Sequence, residues 1–320
     1  MPDAFTDKKL KPMLIGGRCG PFSDPDYFFE IKFDGERCLA YLDEKNTVLI
    51  NKRGVKMLPK VPELSVLNKF IKKRCILDGE LMVMKNGKPD FTEIQKRSLM
   101  ANPLRIKIAS ERFPACFTAF DILYIGNKLV TNLPLFKRRE LLQDNIIEQN
   151  RLFALSECFA GDGEKLYDFA ASAELEGVVA KHRDSLYYPG KRTGEWLKIK
   201  YMLDDDFIIL GYLNNDDKAS SVSLILGQLD PHGNIVGNIV YCGHVTLGKR
   251  TAAMNEVKKL KKINKPRLKM PAGHDNAVFV EPSLVCTVEY MMRLSNGGMR
   301  QPIFKGLRPD KTPEECIIGG

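Results

Sequence analysis

Histidine is scarce in this chain, four in 320 residues, and the four are scattered without ligand spacing, which leaves a histidine-built metal centre without material. Eight cysteines occur singly, with no C-x-x-C pair, so zinc fingers and a disulfide framework are both excluded and the thiols read as reduced and mostly buried. No stretch approaches the ~20 apolar residues needed to cross a bilayer. The opening MPDAFTDKKLKPMLIGG has no apolar core followed by a cleavage site, so a cytoplasmic protein with no membrane contact is expected. Internal repeats and low-complexity tracts are missing too. What is present is ordinary for a soluble globular chain, 28% charged and 44% hydrophobic residues. The length suggests two domains, each able to bury its own core.

The most informative string is Glu30-Ile31-Lys32-Phe33-Asp34-Gly35-Glu36-Arg37. Extended, it sets Glu30, Lys32 and Asp34 on one face and Ile31 and Phe33 on the other, before Asp34-Gly35 turns the chain. A lysine so held can attack the α-phosphate of a nucleoside triphosphate, expel pyrophosphate and carry the nucleotide as a phosphoramidate. The same K-x-D-G-x-R also fits a plain hairpin with charged residues facing water. A free lysine titrates near 10.4, so a neutral amine near pH 7.4 needs roughly 4 kcal/mol of help. Asp34 pushes the wrong way. Other cations, a divalent metal or burial must outweigh it, and positive charge is needed against the phosphates.

Such residues recur in order. Asn51-Lys52-Arg53-Gly54 follows a β-rich stretch, Thr47 to Ile50, and is in itself only a basic turn. In Leu77-Asp78-Gly79-Glu80-Leu81-Met82 an extended chain puts Asp78, Glu80 and Met82 on one face, where a carboxylate could take a ribose hydroxyl or a metal; a second Asp-Gly turn fits the string equally well. Phe117 to Tyr124 reads as a buried strand whose Phe120 is either core or a stacking surface for a purine. Leu166, Phe169, Ala170 and Ala173 mark the apolar face of a helix running into Glu176-Gly177-Val178-Val179. In Trp196-Leu197-Lys198-Ile199-Lys200 the alternation puts Lys198 and Lys200 together, a repulsion that an anionic ligand relieves. Trp196 reads as simply buried.

Taken in sequence, Lys32-x-Asp34-Gly35-x-Arg37, Arg53-Gly54, Asp78-Gly79-Glu80, Phe120-Asp121, Glu176-Gly177-Val178-Val179 and Lys198-Ile199-Lys200 resemble the motif series of the covalent nucleotidyltransferases, and within them the ATP-dependent DNA ligases. FDGERCLAY, GKPDFTEIQ, SLYYPGKRTGEWLKIK and FKGLRPDKTPEEC are similar to the ligase module of bacterial end-joining ligases. One departure is visible: the family's serine-arginine-x-glycine motif reads Asn51-Lys52-Arg53-Gly54, which keeps the arginine but not its predecessor. The resemblance implies an α+β fold, an adenylation (nucleotidyltransferase) domain of antiparallel sheets and flanking helices over 1–202 and an OB-fold β-barrel over 203–320. It implies that Lys32 is adenylated beside Asp34, that Glu30 reads adenine, that Phe120 stacks on it, and that Arg37 and Arg53 hold ribose or phosphate. Glu80 and Glu176 would serve ribose and magnesium, with manganese as a substitute. Lys198 and Lys200 would neutralise the α-phosphate, and Arg308 with Asp310 and Lys311 would orient pyrophosphate. ATP is the implied cofactor and nicked double-stranded DNA the implied partner of a monomer, with end-joining or repair proteins supplied in trans.

The second half of the chain is independently β-rich. Asp204-Asp205-Asp206 is expected to form a polar break and hinge before strands at Phe207 to Tyr212, Val222 to Leu229 and Ile235 to His244, the last two joined by a turn at Asp230 to Asn234. A basic helix over Thr251 to Ile263 then precedes a strand, Ser283 to Met292. Residues 249–269 hold nine Lys or Arg against one Glu, nearly the whole +9 excess of the chain. Lys258, Lys259, Lys261 and Lys262 there, with Lys191 and Arg192 in the loop at Pro189 to Thr193, are candidates for phosphate contacts on a duplex; a solvated helix face is the plainer reading. The alternatives that stay open are an RNA ligase, an mRNA-capping guanylyltransferase using GTP, and a non-enzymatic nucleic-acid-binding module. An NAD-dependent ligase would need a nicotinamide-recognition domain and zinc-binding cysteines, and the chain has neither.

Overall fold

The computed structural model describes residues 3–214, 222–230, 239–248, 251–264, 276–294 and 296–319. The chain forms two compact units, Met1–Tyr201 and Met202–Gly320. No helix among the described residues is long and apolar enough to cross a membrane.

Unit one is built on two sheets. The five-stranded sheet runs Leu14–Arg18, Arg192–Lys200, Gly177–His182, Tyr27–Ile31, Phe159–Ala160, antiparallel except for its first pair. The other places Thr47–Asn51, Glu36–Leu42, Cys75–Lys85 and Ala115–Ile125 side by side, with Phe153–Leu155 added in parallel. In Glu36–Leu42 the period-2 alternation serves two cores. Cys38, Ala40 and Leu42 join the cluster that takes in Leu64, Phe117 and Phe153, while Leu39 and Tyr41 point to the opposite side and join Ile76, Phe120, Tyr187 and Trp196. That second cluster draws residues from both sheets and so lies between them. The helix Gly163–Ser172 covers the outer face of the five-stranded sheet, laying Leu166 and Ala170 on Phe29, Val178 and Ile199. Each such large side chain withdrawn from water contributes about 1.5–3 kcal/mol. Phe169, assigned to the same apolar face by its spacing, instead stands 58% exposed.

Asp34-Gly35 does not close a hairpin. The strands on either side of it, Tyr27–Ile31 and Glu36–Leu42, belong to different sheets, so the segment carrying Lys32 is a crossing between sheets. Glycine is required there for space: a Cβ on Gly35 would collide with the Leu81 carbonyl and the Glu80 side chain. Asp78-Gly79-Glu80 is likewise no turn but the interior of the long strand Cys75–Lys85.

Unit two is antiparallel and β-rich, an OB-like arrangement in which one long strand, Leu203–Asn214, serves two sets of partners. Its first half pairs with Val285–Tyr290, and its second half with Val222–Leu229 and Ala277–Val280. The expected break at Asp204 to Asp206 is therefore corrected: all three sit inside this strand, opposite Glu289, Val288 and Thr287. Their charge is absorbed locally. Arg293 and the Tyr290 hydroxyl bond Asp205 at 3.0 and 2.6 Å, and Lys311 bonds Asp206 at 2.6 Å. The basic helix also ends earlier than its composition suggests, at Lys259, because Lys262 and Ile263 pair as a short strand with Val280 and Phe279. The strand expected from Ile235 is described as Ile239–Thr246, and the turn residues 231–234 lie outside the described residues, as do Lys249, Arg250 and 265–269.

Candidate active site

Lys32 follows directly on the strand Tyr27–Ile31, and its backbone N–H donates to the Gly177 carbonyl at 2.9 Å. Gly177 pairs in turn with Lys200, and the Tyr201 N–H donates to the Glu176 carbonyl at 3.1 Å. Three distant pieces of sequence are thus tied at one point. Gly177 has φ +133°, and a Cβ there would strike the Ile199 carbonyl, so this close approach needs glycine. Glu176 uses both oxygens: Oε2 accepts from Lys32 Nζ at 2.6 Å and Oε1 lies 3.0 Å from Lys200 Nζ. The Lys32 side chain remains 20% exposed. Lys198, two residues before Lys200, has its ammonium destabilised by burial first and then by the charges of Lys200, Lys32 and Arg192. One carboxylate against a group of cations is a field that attracts an anion.

Alternation carries the rest of the cleft. Val179 and Lys181 on one strand, and Trp196 and Lys198 on the next, face the other sheet of unit one, from which Arg37, Glu80 and Phe120 face back. Glu30, Lys32, Arg37, Glu80, Phe120 and Trp196 line a single small pocket of about 50 Å³. Phe120 and Trp196 meet edge to face, 6.4 Å between centroids. Lys181 Nζ stands 4.3 Å and 4.6 Å from their ring centres and 2.8 Å from Glu30 Oε1. Burial pulls the Lys181 ammonium down while Glu30 supports it. Arg139 adds a second cation to Glu30 at 3.4 Å and donates to the carbonyls of Phe120 and Ser156.

Beside the pocket Arg37 forks onto Asp78, Nε and Nη2 each 2.6 Å from a carboxylate oxygen, and Tyr187 donates to the same Asp78 at 2.5 Å. Burial works against the guanidinium charge, but Asp78 outweighs it and holds Arg37 above its ordinary range. Glu80 is placed differently: burial drives its carboxyl up to about 8, while Arg37 and Lys32 pull the other way and Glu176 and Asp78 add to the rise. Among the described residues no three acidic, histidine or cysteine side chains gather into a metal-binding group. Glu30 and Glu80 are the carboxylates that line the pocket, and Glu176 stands between Lys32 and Lys200.

The remaining sequence candidates are distributed differently. Arg53 is exposed at a turn and does not line the pocket, although the adjacent Lys52 N–H bonds the Arg37 carbonyl at 3.2 Å. Arg308, Asp310 and Lys311 form a cluster within unit two, where Arg308 chelates Asp310 and shares Asp206 with Lys311. The hydrogen bond from Arg308 lowers the Asp310 carboxyl to about 2. Lys191 is exposed, and exposed Arg192 donates to the Ile15 carbonyl. Lys258, Lys259, Lys261 and Lys262 are all exposed, Lys259 pairing with Glu256. Sequence reasoning missed Lys181, Arg139 and the part of Trp196 in the pocket wall. Lys181 and Trp196 were within reach, since each lies on the same strand face as a motif residue, two positions from Val179 and from Lys198. Arg139 sits on a helix whose inward face no motif marked.

The model for the ATP dependent DNA ligase domain matches residues 18–200, and that for the ATP dependent DNA ligase C terminal region matches residues 218–311. The multifunctional non-homologous end joining protein LigD of Mycolicibacterium smegmatis is 29% identical over 319 residues, which takes in 96% of this chain and 39% of that protein. The chain thus spans about two fifths of the length of such relatives. Among solved structures, the ligase domain from M. tuberculosis LigD is similar with a TM-score of 0.53 at 26% identity, and a mycobacterial DNA ligase D complexed with ATP and MES with 0.54 at 26%; each match covers 96% of this chain and 97% of the other.

Proposed function

The chain belongs to the ATP-dependent DNA ligase family, and we propose from this that it seals nicks bearing a 5′-phosphate and a 3′-hydroxyl in duplex DNA through a lysyl-AMP, in end joining or repair. The observation that carries the reading is the bridge of Lys32 and Lys200 by Glu176, with Lys198 alongside, at the mouth of a pocket walled by Phe120 and Trp196. Lys32 Nζ attacks the α-phosphorus of ATP, a P–N bond forms and pyrophosphate leaves. The adenylyl group passes to an oxygen of the DNA 5′-phosphate and frees the lysine. The 3′-hydroxyl then attacks that 5′-phosphorus and AMP departs.

Each step asks something of the residues. Glu176 Oε2 is the acceptor nearest the Lys32 nitrogen, so the proton the amine must shed has a partner 2.6 Å away. Lys198 and Lys200 face the charge that develops on the α-phosphate. Phe120 would stack on the base with Trp196 packed behind it, and Glu30, fixed by Lys181 and Arg139, would accept from the exocyclic amine of adenine. Arg37 is oriented by Asp78 toward the sugar and phosphate; Arg53 would join from its exposed turn, and Asp34 shapes the sheet crossing. Magnesium, or manganese, would be held by Glu80 and Glu176, Glu80 giving up the proton its burial favours, and would neutralise charge on the triphosphate. Arg308, Asp310 and Lys311 would orient pyrophosphate in the first step. The two domains, 1–202 and 203–320, would move about the connection near Tyr201 between steps.

The test is incubation with α-labelled ATP or GTP and magnesium, followed by nicked DNA or nicked RNA. Label from ATP on the wild-type protein, absent in Lys32→Ala and discharged only by nicked DNA, is the expected result. Labelling by GTP would favour a capping enzyme, discharge by RNA alone an RNA ligase, and no label a binding module.

A further inference from the structure

A second, larger concavity of unit one shares Ile31 and Phe33 with the nucleotide pocket, and Arg139 lines it as well. It is a groove of about 1190 Å³ between the end of the helix Leu135–Asn145 and the helix Gly163–Ser172, with the edge strand Phe159–Ala160 at its rim. Ile147 and Phe169, each 58% exposed, and Phe159, 38% exposed, stand along it over a floor that includes Leu155 and Leu166. Three large apolar side chains presented together on one groove reduce solubility unless something covers them. Phe169 is telling in this respect, because the helix buries Leu166 and Ala170 and turns the ring away from its own core.

The charge around the groove is opposite to that of the chain. Residues 144–168 hold Asp144, Glu148, Glu157, Asp162, Glu164 and Asp168 against Arg151 and Lys165, a net of −4 in a chain of net +9, and all eight are exposed. Glu148, Glu157 and Asp162 line the groove itself, with Arg139 held by Glu30 and Lys165 paired to Asp162. The remaining acidic excess disfavours phosphate, and with it nucleic acid or an anionic membrane. We propose that this groove docks a partner protein through a segment carrying large apolar side chains on one face and lysine or arginine on its flanks. The two parallel requirements, apolar anchors in the groove and cations against the rim, select the partner's chemistry.

The probe is a fluorescent amphipathic peptide with leucines on one helical face and lysines on the other, measured by anisotropy against the full chain. Saturable binding is expected, weakened about tenfold or more by Phe169→Glu with Phe159→Ser, and weakened with a flattened salt dependence by Glu157→Lys with Asp162→Lys. A control peptide with glutamate for lysine should not bind. Formation of the lysyl-AMP adduct at the wild-type rate shows that each variant is folded, and the charge variants stand in if the apolar ones are not. Equal binding of the two peptides, or binding unchanged in both variants, overturns the proposal. So does a wild-type dimer in sedimentation that Phe169→Glu converts to monomer, since a second copy would then be the occupant.

Discussion

Unit one and unit two each hold a cluster of arginine, lysine and carboxylate groups, and they hold it in opposite ways. In unit one the acids are out of water: Asp78 and Glu30 are buried, and each has two or more donors aimed at it from different strands or helices. In unit two the Arg308–Asp310 pair is close in sequence and open to solvent, with only Asp206 tucked behind it. A buried pair is preorganised and resists exchange, because removing one partner strands the other in a low dielectric. An exposed pair contributes little to the fold and is free to trade its partner for a phosphate. The first arrangement suits a site that must hold its shape, the second a site that engages and releases.

The sharpest way to break the contrast is Asp78→Ala. It leaves Arg37 unpaired and the Tyr187 hydroxyl without its acceptor, and should cost about 3–5 kcal/mol in urea unfolding along with most adenylation. Glu80→Gln tests the same interior through pH. The folded carboxyl titrates at about 8 and the unfolded one near 4.5, so the folded state binds more protons between these values and wild-type stability falls as pH rises from 4.5 to 8. Glu80→Gln should therefore melt higher than wild type at pH 8 and equally at pH 4, while losing lysyl-AMP formation at every pH. Charge reversal of Lys258, Lys259, Lys261 and Lys262 comes next: affinity for nicked duplex should fall severalfold, and the slope of log K against log salt should flatten by about 0.9 for each phosphate that is no longer neutralised. Smallest in its effect on the fold is Asp310→Ala, which should leave the melting temperature where it is and slow adenylation by ATP. A large drop in stability there would dissolve the distinction between the two clusters.

Sequence alone made the strand-borne chemistry legible wherever a period of two decided which side a residue faced. Glu80, Lys198 and Lys200 were found that way, Trp196 and Lys181 obey the same alternation, and Phe120 was singled out by the resemblance. It could not say which strands lie side by side. The Lys32–Glu176 contact joins segments far apart in the chain, and nothing local announces that Asp34-Gly35 passes between sheets, since a hairpin has the same turn residues. Asp204 to Asp206 misled for a related reason. Three acids in a row read as a solvated break until Arg293, contributed from a distant part of the chain, supplies the counter-charge for Asp205, and Arg308 and Lys311 those for Asp206, while Asp204 stays exposed. The helix begun at Thr251 stopped at Lys259 because a sheet edge competed for Lys262 and Ile263, a tertiary preference that overrides composition.

Lys32 hangs like the pin of a hinge from two leaves: the preceding strand fixes it to one leaf, while the residues after it are fixed to the other. Its distance to Lys198 is set within one leaf, its distance to Glu80 across both. Any substitution that changes the spacing of the leaves, such as trimming Trp196 or Leu39 in the layer between them, will misalign the amine well before the protein unfolds. Turnover in this chain is accordingly a finer gauge of internal packing than any melting curve.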